Sequence, residues 1–268
     1  MLPDFEMIVH ELGEEDITII PVSDVHLGAA EHMEKEWAEF CDMVLQHPNV
    51  FLTLGGDLVN NNIRSAVGDV WSEQLSPSKQ KKLMAEMLAP LRDRILCCVS
   101  GNHEYRSRKD ADDNPSYDIM AKLDIEHLWR ENIAFIKVQL GKKLRDNGQR
   151  TAHYERPTYN LVVTHGSGGG GIYTGTAVLR AERFGYVIDG MDALIVGHTH
   201  KPFVTQPGKI QIDPRNNNVK VVPFKVISSS AWMEWGGYAA RKMLLPSTHM
   251  KQELILSAHN KEMEVRVK

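Results

Sequence analysis

Five short apolar runs punctuate the chain, and each stops at a cluster of small and polar residues. Thr18-Ile19-Ile20 leads into Ser23-Asp24-Val25-His26, and Phe51-Leu52-Thr53-Leu54 into Gly55-Gly56-Asp57. Ile95-Leu96-Cys97-Cys98-Val99 leads into Gly101-Asn102-His103-Glu104, Leu161-Val162-Val163-Thr164 into His165-Gly166, and Ala193-Leu194-Ile195-Val196 into Gly197-His198-Thr199-His200. A short apolar run closed by a turn reads as a buried strand, and in α/β proteins the end of such a strand is where sites are built. Between the first two runs, Met33, Trp37, Phe40, Cys41, Val44 and Leu45 recur at helical spacing over 31–45, and Pro48 closes that helix. Strand, helix, strand predicts a parallel βαβ unit with a right-handed crossover, which lays successive strand ends side by side.

The same pattern extends along the chain. Residues 78–91 read as a helix with Ser76 or Ser78 as N-cap, Pro77 near its first turn and Leu83, Met87 and Leu88 inward. Residues 117–128 read as another helix, with Ile119, Met120, Leu123 and Leu128 inside. An edge strand is expected at 7–10, an alternating strand at 134–140 and a further strand at 159–164. The polar, aperiodic stretch 60–78 is expected to be a long active-site loop with a short helix at Val70-Trp71. Arg106 to Pro115, dense in mixed charge, reads as a solvated loop, the alternative being a substrate-facing rim whose basic residues meet phosphate. In the tail, 219–227, 254–257 and 263–267 are β-rich and suggest a second antiparallel sheet packed on the first.

Composition narrows the classes. At 268 residues, 42% hydrophobic and 25% charged, the chain fits one globular domain over 1–268, with loop or cap insertions around 60–78 and 105–130. A net charge of −4 argues against a protein coated in positive charge, while leaving a local basic patch open. Cys41, Cys97 and Cys98 have no metal-type spacing and read as buried reduced thiols. With no basic, apolar leader and no long apolar span, the expectation is a cytoplasmic protein with no membrane partner. Homo-oligomerisation is not indicated, and Trp232 to Tyr238 reads equally as a dimer face or as core.

The chemistry sits at the five strand ends. Asp24, His26, Asp57, Asn102, His165, His198 and His200 offer carboxylate, amide and imidazole donors without thiolate, a set suited to hard or borderline divalent metals. Seven donors are too many for one tetrahedral zinc, and two metals bridged by a carboxylate fit better. The other seven histidines lack such context and read as surface or ordinary core. Gly141-Lys142-Lys143 lacks the upstream Gly and the following Ser/Thr of a phosphate loop. The run from Gly166 to Gly171 reads either as close backbone approach to a ligand or as a plain connector.

The order D-x-H, G-D, G-N-H-E, H-G and G-H-T-H, spanning Asp24 to His200, resembles the calcineurin-like metallophosphoesterases. The resemblance implies a four-layer αββα sandwich of two mixed sheets flanked by helices. It implies two divalent ions, Mn first with Fe, Zn, Mg or Ni as alternatives. Asp24, His26 and His200 would hold one ion, Asn102, His165 and His198 the other, and Asp57 would bridge both. His103 would face the substrate as the catalytic residue, beside a metal-bound hydroxide. Asn60, Arg106, Arg108, Gly168 and Gly169 are candidate substrate contacts.

The chain departs from the family's phosphoprotein phosphatases in one respect. Asn60 stands where those enzymes carry the acidic residue that supports the catalytic His, and Asn61 and Glu104 replace two arginines. That argues against the protein-phosphatase subgroup and leaves the orientation of His103 open. The opening motif Ser23 to Gly28 is similar to that of the family's DNA-repair exonucleases, and Arg106, Arg108, Lys109, Lys79, Lys81 and Lys82 could meet a phosphate backbone. The leading expectation is therefore a phosphodiesterase or nuclease acting on nucleic acid. The alternative is a small-molecule phosphodiesterase or phosphomonoesterase with a nucleotide-type substrate, Tyr105, Tyr173 and Trp232-Met233-Glu234-Trp235 being candidates to stack on its base. A non-catalytic metal-binding scaffold is the remote third.

Overall fold

Val50–Leu54 (β3) is buried at every position, as a central strand covered on both faces must be. It lies parallel to Ile17–Val22 (β2) on one side and to Ile95–Val99 (β4) on the other, with Val22 opposite Leu54 and Leu54 opposite Cys98. Trp129–Arg130 (β5) continues the parallel order beyond β4, while Gln252–Leu256 (β13) and Met263–Val267 (β14) extend the other edge antiparallel. The structure, a computed structural model, describes residues 3–64, 66, 70–141, 157–168 and 173–268.

A second six-stranded sheet runs in the order Ile8–Glu11 (β1), Ile133–Gln139 (β6), Thr158–Thr164 (β7), Ala193–Val196 (β8), Lys225–Ser228 (β12) and Phe203–Thr205 (β9). β7, β8 and β12 are parallel, and β6 pairs antiparallel with β7. Alternation along β6 assigns its faces. Ala134, Ile136 and Val138 join the core that also holds Ile19, Leu52 and Leu96 of the first sheet. Ile133 and Phe135 face the other way, to the cluster of Val162, Leu194 and Val196 with Ala181 of Thr174–Gly185 (α5). Glu34–Gln46 (α1), Pro77–Leu88 (α2) and Pro115–Lys122 (α4) bring Trp37, Phe40, Met84, Leu88, Ile119 and Met120 to the main core. The result is the αββα sandwich. Among the described residues no helix is long and apolar enough to cross a membrane.

The sequence pattern misplaces two regions. Residues 106–111 are not a solvated loop: Asn102–Ala111 is a helix (α3). Glu104, at its third position, reaches back to accept the Gly101 N–H at 2.9 Å, and Asp112 ends it in the left-handed region at φ 55°. Dense charge along 106–110 marks a solvated helix face as readily as a loop, and the turn at its start decides between them. The tail does not gather into one antiparallel sheet packed on the first either. β12 enters the second sheet beside β8, β13 and β14 widen the first, and only Gly208–Asp213 (β10) and Asn218–Pro223 (β11) stand apart as a hairpin. Period-two patterns assign faces but not neighbours.

Elsewhere the expected elements recur with shifted ends. The α2 helix stops at Leu88, and a 3-10 segment, Ala89–Arg94, carries the chain through Pro90. The loop after β3 contains the expected short turn, a 3-10 element at Val70–Ser72. After the brief helix Gly237–Arg241 (α6) the chain returns to β13. Trp232 is core, 3% exposed and edge-on to Trp37 at 5.1 Å, so its indole does not serve as a stacking platform.

Candidate metal centre

The C-terminal ends of β2, β3 and β4 are adjacent because those strands are parallel, and those of β7 and β8 face them from the second sheet. Backbone ties fix the loops to one another: Asp24 N–H to Gly56 O (3.0 Å), His26 N–H to Asp57 O (2.9 Å) and His198 N–H to Asp24 Oδ2 (2.9 Å). Asp24, His26, Asp57, His198 and His200 all have positive φ, between 49° and 68°. Side chains other than glycine rarely hold that conformation, and it persists where surrounding bonds over-determine it. Five of the seven donors identified at the strand ends are thus aimed by an unusual backbone.

Their functional atoms fall into two groups. In the first, His26 Nε2 and His200 Nε2 approach to 3.2 Å, with Asp24 Oδ1 at 3.3 Å from His200 Nε2 and 3.9 Å from His26 Nε2. In the second, Asn102 Oδ1 lies 3.0 Å from His165 Nε2 and 2.6 Å from His198 Nδ1, the two imidazole nitrogens being 3.2 Å apart. Asp57 Oδ2 stands between them, 3.3 Å from His165 Nε2 and 3.9 Å from His26 Nε2. Donor atoms that share an ion at about 2.0–2.2 Å lie roughly 3 Å apart, the spacing seen here. Asp24 Oδ1 is buried with no hydrogen-bond partner among the described residues, as suits an oxygen reserved for a cation. The residues therefore fit a pair of divalent ions.

Second contacts aim the rings. His165 Nδ1 faces Gly55 O at 2.8 Å, which turns Nε2 to the centre, and His198 Nε2 faces Gly168 O at 2.7 Å, which turns Nδ1 there. His103 donates its backbone N–H to Asp57 Oδ1 (2.8 Å), and its Nδ1 lies 2.6 Å from the carbonyl oxygen of Asn60. Its Nε2 therefore points towards the donors, 3.9 Å from Asp57 Oδ2. Glu104, the residue after it, is fully buried and accepts four backbone N–H groups: Gly101, Asp57, Leu58 and Val59. One carboxylate thus locks the β3 loop to the start of α3.

The electrostatics follow from burial and proximity. Burial opposes the charge on Asp24 and Asp57, yet His200 and His165 respectively hold both below the usual carboxylate range. Burial alone would lower His165, but Asp57 raises it to about 10. Burial lowers His26 and His103. It also pushes Glu104 up to about 7, with the Asp57 charge adding to it and the N–H donors opposing.

Close packing leaves the site little slack. A Cβ on Gly101 would fall 2.1 Å from Asp57 Oδ1 and 2.4 Å from the Asp57 nitrogen. Gly101→Ala is therefore expected to displace Asp57 and cut metal content at least tenfold while the protein stays folded. Metal analysis of the purified variant beside its circular dichroism checks this, and full metal content would show that the loop yields.

The expected substrate contacts divide. Asn60 is buried, with its side-chain amide on Glu73, and Arg106 Nη1 donates to Asn62 Oδ1 at 2.8 Å. Arg108 instead engages Asp112 and Glu131. Gly168, at φ 102°, offers its carbonyl to His198; Gly169 lies outside the described residues. Lys81 is held by Asp113 (2.6 Å) and Asp118 (2.7 Å), and Lys82 by Glu86. His10, His32 and His249 are turned to backbone carbonyls, as ordinary packed histidines. Three residues of the site carried no assigned role from the sequence. Ser23 Oγ donates to Asp24 Oδ2 at 2.5 Å, Gln80 is fully buried beneath the loop after β3, and Glu73 gathers three amides. Ser23 was legible as part of its motif. For Glu73 and Gln80, polar residues in a polar stretch, the sequence carried no signal.

A family model described as calcineurin-like phosphoesterase matches residues 17–202. No curated protein matches significantly. Solved structures similar to the chain include a metallophosphoesterase of Sphaerobacter thermophilus (13% identity, 94% of this chain and 88% of that one, TM-score 0.39). Others are vacuolar protein sorting 29 of Cryptosporidium parvum (12%, 95% and 97%, 0.36) and the NAD nucleotidase of Haemophilus influenzae (9%, 94% and 49%, 0.38). At those scores the likenesses bear on neither activity nor substrate.

Proposed function

The chain belongs to the calcineurin-like phosphoesterases, and on that premise we propose that it hydrolyses phosphodiesters at a site for two divalent ions, with residues 1–268 acting as one domain. The observation that carries this reading is Asp57 Oδ2 standing between two complete donor groups. Asp24, His26 and His200 would hold one ion, Asn102, His165 and His198 the other, and Asp57 would serve both. The ions, manganese first among the candidates, supply Lewis acidity towards a phosphoryl oxygen and acidify water. The protein's own residues do the rest. Gly55 O and Gly168 O keep His165 and His198 in the ligating orientation, and Asp57 Oδ1 fixes the backbone of His103. His103 Nε2, with no hydrogen-bond partner among the described residues, hands a proton to the leaving oxygen from the imidazolium form, which burial opposes and the Asp57 charge favours. Three buried free thiols fit a reducing, cytoplasmic setting.

For substrate, the pairing of Lys81, Lys82 and Arg108 with acidic side chains favours a small, nucleotide-type diester over a nucleic-acid backbone. The test is hydrolysis of bis-p-nitrophenyl phosphate and p-nitrophenyl phosphate, with single-stranded and duplex DNA in parallel, after chelation and return of Mn²⁺. Diester cleavage without DNA cleavage is expected. DNA cleavage at a comparable rate would return the nuclease reading, and silence on every ester with metal bound would leave a binding scaffold.

Metal loading carries its own pH signature. His165, raised to about 10 by Asp57 against burial, is protonated at neutral pH in the metal-free protein and must lose that proton to ligate. Apparent affinity is therefore expected to fall as pH falls, with at least one proton released per protein at pH 7, since, against burial, Asp24 also raises His200. Calorimetry in two buffers of different ionisation enthalpy measures that release, and no release would remove His165 from the ligand set.

A further inference from the structure

His103 is oriented by a main-chain carbonyl, and that carbonyl is itself held. The peptide joining Asn60 to Asn61 offers its C=O to His103 Nδ1 at 2.6 Å and its N–H to Gln80 Oε1 at 2.8 Å. Because a peptide unit is planar, fixing the N–H end fixes the direction of the C=O. Gln80 is 0% exposed and turns its oxygen to that N–H because its own amide nitrogen is claimed by Glu73 Oε2 (2.5 Å) and Leu75 O (2.7 Å). The other carboxylate oxygen, Oε1, accepts the side-chain amides of Asn60 (2.5 Å) and Asn62 (2.8 Å). Residues 60, 61 and 62 are all buried, so these amides have no water to turn to. A charged acceptor shared by three amides is stronger than a neutral one and leaves each amide a single orientation.

We propose that Glu73 is the positioning residue for His103, acting through Gln80 and the Asn60–Asn61 peptide. The position three residues after Asp57 holds an asparagine, and the negative charge that steadies the imidazole comes instead from sixteen residues further along the chain than Asp57. The role rests on the reading of His103 as proton donor to the leaving oxygen. Glu73 touches no reacting atom, and its contribution is the angle of a ring.

Glu73→Gln keeps the shape but puts a donor where three amides need an acceptor. The variant is compared with the wild type on a p-nitrophenyl diester and on a methyl or phenyl diester, whose leaving oxygen needs the proton far more. A loss of about 10–100-fold in kcat on the poor leaving group is expected, with little loss on p-nitrophenyl and with KM and metal content unchanged. In the His103→Ala background Glu73→Gln is expected to cost nothing further, since the two act as a unit. Equal losses on both leaving groups, or the same loss without His103, would overturn the proposal. The orientation is also read without turnover, by the His103 Nδ1–H signal in ¹⁵N-edited spectra. Its protection from exchange in the wild type and loss in Glu73→Gln supports the proposal, and persistence in both sinks it. If no ester is hydrolysed by the metal-loaded wild type, the proton-donor reading fails, and the spectra still decide whether Glu73 orients the ring.

Discussion

Asp57→Asn is expected to abolish hydrolysis and to empty both metal positions together. Asp57 Oδ2 lies 3.3 Å from His165 Nε2 and 3.9 Å from His26 Nε2, so a single oxygen is placed between both groups. Asparagine keeps a carbonyl that can accept the His103 N–H in place of Asp57 Oδ1, so the start of α3 is preserved. What it removes is the negative charge that lets two dications share a buried space, and unscreened repulsion there is large. The check is metal content by mass spectrometry on a variant whose circular dichroism matches the wild type. Retention of both metals would mean that Asp57 is not the shared ligand.

His103→Ala is expected to do the reverse, keeping both metals while kcat falls about 10²–10⁴-fold. The approaches of 3.3 Å or less within the two groups are made by other side chains, although at 3.9 Å His26 Nε2 stands no nearer to Asp57 Oδ2 than His103 Nε2 does. Its backbone N–H, which does bind Asp57, survives the substitution. The loss should grow with the basicity of the leaving oxygen, because a good leaving group departs without a proton. His103 also appears with His26 and Asp57 in a grouping tight enough to ligate. Metal loss equal to that of Asp57→Asn would therefore place His103 among the ligands and end the division of roles.

The two variants test different layers of the molecule, and the layers were not equally legible. Asp24, His26, Asp57, Asn102, His165, His198 and His200 stood at the ends of five apolar runs, and these become three parallel strands of one sheet and two of the other whose ends meet at the site. That much needs only local pattern and the rule that parallel strands point the same way. The helix at 102–111 was hidden because its charged face resembles a loop, and because its start depends on Glu104 bonding N–H groups more than forty residues away as well as Gly101. The tail was misplaced because β12 and β13 choose partners in different sheets, a choice made by whichever edge is left open.

By itself the sequence determined the donor types, their order, the buried strands that carry them and, through the motif set, the family. Side-chain chemistry and hydrophobic period are local properties, so they survive in one dimension. Tertiary structure alone decided how closely the donor atoms of each group approach, that Asp57 Oδ2 lies between His165 and His26, and that His103 is held by the Asn60 carbonyl with Gln80 and Glu73 behind it. Those facts depend on distances between residues far apart in the chain, and on peptide planes that no side-chain pattern encodes.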